Sequence, residues 1–261
     1  MRKLSLFDVT NLVVGAIVGA DIYIAASFGS GMLGPASLLV WAVAGLFAII
    51  IALTFAKCSS VVKEAGGPYA YTKEAFGHFP GFITGWALWL AEVSALCVFP
   101  LAFVNYLSYF IPLCFFSRIG VIFIFVSFLF ATNFYGIRFA ARTNDFLTTV
   151  KLAPLVLLSA SGLLWILYHP PAAANNLLPF APFGFVGFGP ALVLIFWAYA
   201  GFEIATIPAS DIKNSEKTIP RAITLGMIIV TAFYLVTNFV ILSVANYSII
   251  ALQEAPLAFT A

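Results

Sequence analysis

Residues 9–28 read Val9-Thr10-Asn11-Leu12-Val13-Val14-Gly15-Ala16-Ile17-Val18-Gly19-Ala20-Asp21-Ile22-Tyr23-Ile24-Ala25-Ala26-Ser27-Phe28. A helix of about 20 predominantly apolar residues covers the hydrocarbon core of a bilayer, so this stretch predicts a transmembrane span. Two features set it apart from a plain anchor. It holds a carboxylate, Asp21, and its middle is punctuated by Gly15 and Gly19.

Working outward, apolar runs of the same kind recur at 36–60, 82–110, 119–137, 146–168, 187–210 and 222–246. They predict about seven transmembrane helices and an all-α membrane protein. The connections carry helix breakers: Gly29-Ser30-Gly31 with Gly34-Pro35, then Gly66-Gly67-Pro68, Pro112, and the segment from His169 through Pro182. Composition agrees with this reading. Hydrophobic residues make up 63% of the 261 positions and charged residues 8%, whereas a water-facing domain carries about a quarter charged residues. A soluble domain is excluded. The N-terminal Met1-Arg2-Lys3 could open a signal peptide, but Asp8, Asn11 and Asp21 interrupt the uncharged core that a signal needs. Cys58, Cys97 and Cys114 offer no disulfide framework and no metal-ligand spacing, and they read as small core residues.

The charges set the orientation. Of the 12 Lys and Arg residues, Arg2, Lys3, Lys57, Lys63, Lys73, Arg138, Arg142, Lys213, Lys217 and Arg221 fall on one side, with Lys151 inside the same end of the fifth span. Arg118 falls on the other. Positive charge marks the cytoplasmic side, so the N-terminus is expected inside and the C-terminal residue outside. The net charge of +2 points to no nucleic-acid partner.

A charge at mid-membrane costs on the order of 2.5–3.5 kcal/mol, so each one asks for a function or a partner. Asp21, Glu92, Lys151 and Glu203 are the candidates. Snorkelling or a structural ion pair is the plain alternative, most natural for the long Lys151 side chain near the end of its span. Spans one and six share a further feature. Gly19 precedes Asp21 by two residues, and in Ala198-Tyr199-Ala200-Gly201-Phe202-Glu203 the same spacing separates Gly201 from Glu203. Interrupted helices in corresponding places mark the central site of a transporter; glycines used for close helix packing are the competing reading. Enzyme motifs are absent: His78 and His169 lack ligand partners, no phosphate loop ends in lysine, and no nucleophile elbow appears. Neither a cofactor nor a metal is expected.

Three stretches resemble the amino acid–polyamine–organocation superfamily of permeases. Gly15 to Tyr23 is similar to the family's Gly-x-x-x-Gly-Ser-Gly-Ile-Phe pattern in helix one. Glu64-Ala65-Gly66-Gly67-Pro68-Tyr69-Ala70-Tyr71 with Ala75-Phe76-Gly77 resembles its Gly-Gly-x-Tyr-x-Tyr…Phe-Gly loop. Phe196-Trp197-Ala198-Tyr199-Ala200-Gly201-Phe202-Glu203, leading to Asp211-Ile212-Lys213-Asn214 and Ile219-Pro220-Arg221, looks like its sixth helix and following loop.

The resemblance implies a fold of two inverted five-helix repeats with helices one and six unwound at the centre, truncated here after the seventh helix. Residues 1–168 would form the first repeat and 169–261 an incomplete second, with the missing C-terminal helices a possible partner. It implies secondary active transport of amino acids or related amines by alternating access, proton-coupled or by exchange, in the cell membrane. A non-transporting sensor or assembly subunit on a partial permease fold is the alternative. Substrate would lie on backbone groups of Ile17, Gly19, Ala20 and Asp21, which in the family receive a carboxylate, and of Trp197, Ala198, Tyr199 and Gly201, which receive the amine. The rings of Trp197 and Tyr199 would cover it. Lys151 resembles a helix-five lysine that stands where sodium symporters hold their ion, and Glu92 and Glu203 are further coupling or gating candidates. One departure matters: Asp21 stands where the family has its second helix-one glycine. Either a cation such as Lys151 neutralises it, or the substrate itself brings the positive charge, or Asp21 is protonated or turned outward.

Overall fold

The computed structural model describes residues 4–62, 64, 66–134, 137–203 and 212–261, and within them every side chain except those of 133, 137–145 and 148–149. Arg2, Lys3, Lys63, Ala65, the side chains of Arg138 and Arg142, and the end of the sixth expected span with Asp211 therefore lie outside the described residues.

The described regular structure is helical. The first expected span is two helices, α1 (Leu6–Ile17) and α2 (Asp21–Leu33), separated by a bend at 18–20. A 3-10 turn at Gly34–Ala36 leads into α3 (Ser37–Val61). There follow α4 (Pro68–Phe76), α5 (His78–Phe110), α6 (Phe115–Phe134), α7 (Ile137–Tyr168), α8 (Pro170–Asn176) and α9 (Phe188–Phe196), the last continued by a 3-10 turn over Trp197–Tyr199. Then come α10 (Ser215–Val244), α11 (Tyr247–Ile250) and α12 (Pro256–Thr260). Stretches long and apolar enough to cross a membrane run over Asp21–Val61, His78–Phe110, Phe115–Thr132, Val150–Tyr168 and Ser215–Val244, and the shorter apolar helices are Leu6–Ile17 and Phe188–Tyr199. Because the first stretch contains the turn at Gly34–Ala36, it is α2 followed by α3.

Several helix starts follow from local chemistry. Ser5 caps α1 through a reciprocal pair with Asp8: the Asp8 N–H reaches Ser5 Oγ at 3.4 Å, and Asp8 Oδ2 accepts from the Ser5 N–H at 2.8 Å. The carboxylate that argued against a signal peptide thus has a helix-capping task. Pro68 and Pro170 open α4 and α8, where proline's missing N–H costs nothing. These two short helices lie in segments that the sequence marks only as breaker-rich connections.

The core is built on α10, which packs against α1, α3 and α7. α3 presents Ala44, Ala48, Ala52 and Ala56, all buried, at a spacing of four, so it offers a flat small-residue stripe. At Gly45 an added Cβ would stand 2.5 Å from Thr231 Cγ2 of α10, and at Gly226 of α10 one would stand 2.5 Å from Val13 Cγ1 of α1. Close packing is thus the task of these two glycines. The cysteines correct the sequence reading: Cys97 and Cys114 are exposed and Cys58 is half-buried, so none is a core residue. Outward faces of α5 and α6 are apolar instead of polar, with Trp86, Trp89, Phe123 and Phe130 all exposed. Exposed apolar surface on that scale suits lipid contact, not water.

Candidate functional site

The two glycine-marked breaks lie against one another. α1 stops at Ile17, and Val18 turns to an extended conformation (φ −72°, ψ 92°). After α9 and its 3-10 turn, Ala200 is extended (φ −67°, ψ 155°) and Gly201 has φ +117°, a conformation that L side chains rarely adopt. A Cβ on Gly201 would stand 2.8 Å from the Ala16 carbonyl oxygen and 3.1 Å from Ile17 N. The backbone of one break thus touches the backbone of the other, and glycine is required twice over, by φ and by space. Gly201 thus combines a backbone conformation that interrupts the helix with a close approach to α1.

Two tyrosines and a tryptophan wall this junction. Tyr234 of α10, fully buried, donates to the Ile17 carbonyl at 3.2 Å. Tyr199, also fully buried, donates to the Trp41 carbonyl of α3 at 2.9 Å. Its ring stacks edge-on or tilted with Trp41 and Tyr234, with centroids 6.0 and 5.3 Å apart. Sequence reasoning missed Trp41 and Tyr234. The Tyr234 hydroxyl finds its partner among the carbonyls that the end of α1 leaves open, a pairing that only the fold reveals.

Asp21 begins α2 and is 5% exposed. Backbone N–H groups of Gly19, Asp21 and Ile22 lie around its carboxylate. Its Oδ1 has no hydrogen-bond partner of sound geometry among the described residues, and it stands 2.7 Å from where a Cβ on Gly19 would be. Ala20 is half-buried in the bend.

Lys151 does not snorkel away from the centre. Its Nζ donates to the Gly15 carbonyl at 2.5 Å, on the last turn of α1. Asp21 is close enough to act on it through space. The backbone carbonyl of Lys151 accepts from the Tyr23 hydroxyl. The Tyr23 carbonyl in turn accepts from Tyr106 of α5 at 2.6 Å, and the Tyr106 hydroxyl accepts from Leu257 N at 3.3 Å. A continuous chain of polar contacts therefore joins α7, α2, α5 and the start of α12.

The remaining candidates sit elsewhere. Glu203 is half-buried, and its Oε2 accepts from the Gly201 N–H at 3.0 Å, so it braces the second break. Glu92 is exposed on α5 and acts through space on Glu203; the charged group acting on Lys151 is Asp21. Trp197 is half-buried and Ala198 fully buried. Among the described residues no three His, Cys, Asp or Glu side chains gather as a metal site requires.

A model of the amino acid permease family matches residues 4–261. The chain belongs to that family. Its superfamily is the one the three sequence stretches resemble. The permease chain is 26% identical over 275 residues to the branched-chain amino acid permease BcaP of Bacillus subtilis, covering 98% of this chain and 58% of that protein. It is 28% identical over 262 residues to the human cystine/glutamate transporter, covering 97% of this chain and 52% of the relative. The serine/threonine exchanger SteT of Bacillus subtilis is 28% identical over 252 residues, with 94% and 56% covered. The permease chain thus spans about half the length of the curated relatives it matches. The family and these relatives are transporters, not enzymes.

Proposed function

We propose that this permease-family chain serves secondary transport of amino acids or related amines, with substrate bound at the junction of the two breaks. The observation that carries the reading is the contact of Gly201 with Ala16 and Ile17, two chain interruptions meeting inside one bundle. Interrupted helices free backbone carbonyls at one end and N–H groups at the other, and these bind charged groups without side-chain desolvation. The names of the relatives support amino acids as the substrate class. In this reading the groups around the substrate are Ile17, Gly19, Ala20 and Asp21 with Trp197, Ala198 and Gly201, while Tyr199 holds the wall in place from behind. Residues 1–168 form the first repeat and 169–261 begin the second. The chain lies in the cell membrane with its N-terminus cytoplasmic, as the placement of its cations supports. Coupling runs through Lys151, a half-buried cation able to lose and regain a proton as the Gly15 carbonyl moves. Glu203 holds the second break and Glu92 stands near it.

The test is uptake into proteoliposomes holding the purified chain, with a panel of radiolabelled amino acids and amines. Saturable, time-dependent uptake of at least one of them, accelerated by a pH gradient or by unlabelled substrate inside, is expected. Saturable binding with no flux under any gradient would place the chain with sensors or assembly subunits instead.

A further inference from the structure

Two contacts fix the register of α3 against α10. Trp41 packs on Tyr234 with ring centroids 5.5 Å apart, and one turn further along α3 a Cβ at Gly45 would stand 2.5 Å from Thr231 Cγ2. Residue numbers rise along α3 as they fall along α10, so the two helices are antiparallel. At a rise of about 1.5 Å per residue, Lys57 lies about 18 Å beyond Gly45, while Arg221 and Lys217 lie about 15 and 21 Å back from Thr231. Three cations thus reach one level at the same rim of the bundle. All three are exposed, and none makes an ion pair with a carboxylate among the described residues. Lys217 and Arg221 stand about one turn apart on α10 and share a face, from which Glu216 is turned by about 100°.

Apolar surface runs from this rim toward mid-membrane. Leu53 of α3 and Leu225 and Ile228 of α10 are exposed. Ile50, about two turns from Lys57 on the same face of α3, lines an apolar groove of about 440 Å³ together with Phe47, Ile51 and, from α9, Leu192, Val193 and Phe196. The distance from Lys57 to Ile50 along the helix is about 10 Å. An acyl chain reaches about 15 Å, half the thickness of the hydrocarbon core. One lipid with its phosphate at the rim can therefore lay a chain in the groove. A single long cation at a membrane edge meets any headgroup; three at one level, beside an apolar groove, describe a site.

We propose that the α3–α10 rim and the α3–α9 groove together bind one anionic phospholipid, its phosphate among Lys57, Lys217 and Arg221 and one acyl chain in the groove. Each basic residue close to anionic lipid strengthens the attraction about fivefold. A zwitterionic headgroup carries its own cation and forfeits most of that gain. The site needs a bilayer around the chain and serves in either orientation.

Native mass spectrometry tests it, with the purified chain delipidated in mild detergent and titrated with phosphatidylglycerol or with phosphatidylcholine of matched chains. Wild type should hold its first phosphatidylglycerol at least about tenfold more tightly than phosphatidylcholine. The combined Lys57→Gln, Lys217→Gln and Arg221→Gln variant should bring the two lipids within about twofold. Arg118→Gln, beside Glu254 beyond the other end of α10, should keep the wild-type preference. Ile50→Trp fills the groove and leaves every charge in place, and it should weaken phosphatidylglycerol by about fivefold or more. Helical content shows that each variant is folded. Equal binding of both lipids by wild type, a preference that survives in the folded triple variant, or full affinity in folded Ile50→Trp would overturn the proposal. Competition by glycerol phosphate as effective as that of the lipid would mark a soluble-anion site and overturn it equally.

Discussion

At the scale of single residues, the buried polar contacts divide into those that hold the backbone and those free to change. Tyr106 belongs to the first kind. Its hydroxyl links the Tyr23 carbonyl to Leu257 N, and a hydrogen bond of this sort contributes about 1 kcal/mol net. Tyr106→Phe should therefore lower the melting temperature by a few degrees in a thermal-shift measurement and leave ligand affinity nearly unchanged. Lys151 belongs to the second kind, since its hydrogen bond joins a long side chain to the end of a helix. Lys151→Ala should abolish acceleration of uptake by a pH gradient, each unit of which supplies about 1.4 kcal/mol per proton, while substrate still binds. Uptake in that variant with the wild-type pH response would remove Lys151 from the coupling scheme. Asp21, Lys151 and Gly201 were all visible in the sequence as misfits in apolar runs. Tyr234 and Trp41 were not, because an aromatic residue in a membrane helix looks the same whether it faces lipid or a break. The partnership of Lys151 with Gly15, across more than a hundred residues, was equally out of reach of local pattern.

Helices raise a different question: how closely they can approach. α10 lies against α1 and α3 where Gly226 and Gly45 leave room. Adding bulk there forces the helices apart, and overpacking of a well-filled core typically costs about 1–3 kcal/mol. Gly226→Leu should accordingly destabilise the chain by that order in a thermal or denaturant melt and widen the separation of α1 from α10. A wild-type melting curve would show that the contact is not tight. Element positions were largely legible because a membrane span announces itself by length and hydropathy. Their ends were not. α5 begins at His78, earlier than the run starting at 82 suggests, because a helix continues past the hydrocarbon core into polar surroundings where composition is no longer a guide. The break in the first span was legible from its glycines. The short α4 and α8 were hidden in segments whose proline and glycine read as breakers but here act as helix starts.

For the whole molecule, the charge asymmetry and the fold agree on which ends lie together. Leu4 pairs with Ile212, and the Lys213 N–H donates to the Leu4 carbonyl at 3.0 Å, so the N-terminus and the loop after the sixth span share a side. Arg118 meets Glu254 at 3.8 Å. In right-side-out vesicles, tags at the N-terminus and in the 63–80 loop should be protected, and a tag near residue 175 should be accessible to an impermeant label. An accessible 63–80 loop would invert the orientation. The central claim is that the two breaks form one transport site, and the most direct measurement is substrate exchange by proteoliposomes bearing wild type or Gly201→Ala. A Cβ at residue 201 meets the Ala16 carbonyl at 2.8 Å in a backbone conformation that L residues rarely adopt, strain on the order of 1–3 kcal/mol placed at the junction itself. The account predicts exchange by wild type and a fall of about tenfold or more in the variant, with both inserted and helical to the same extent. Exchange by Gly201→Ala at the wild-type rate would contradict it.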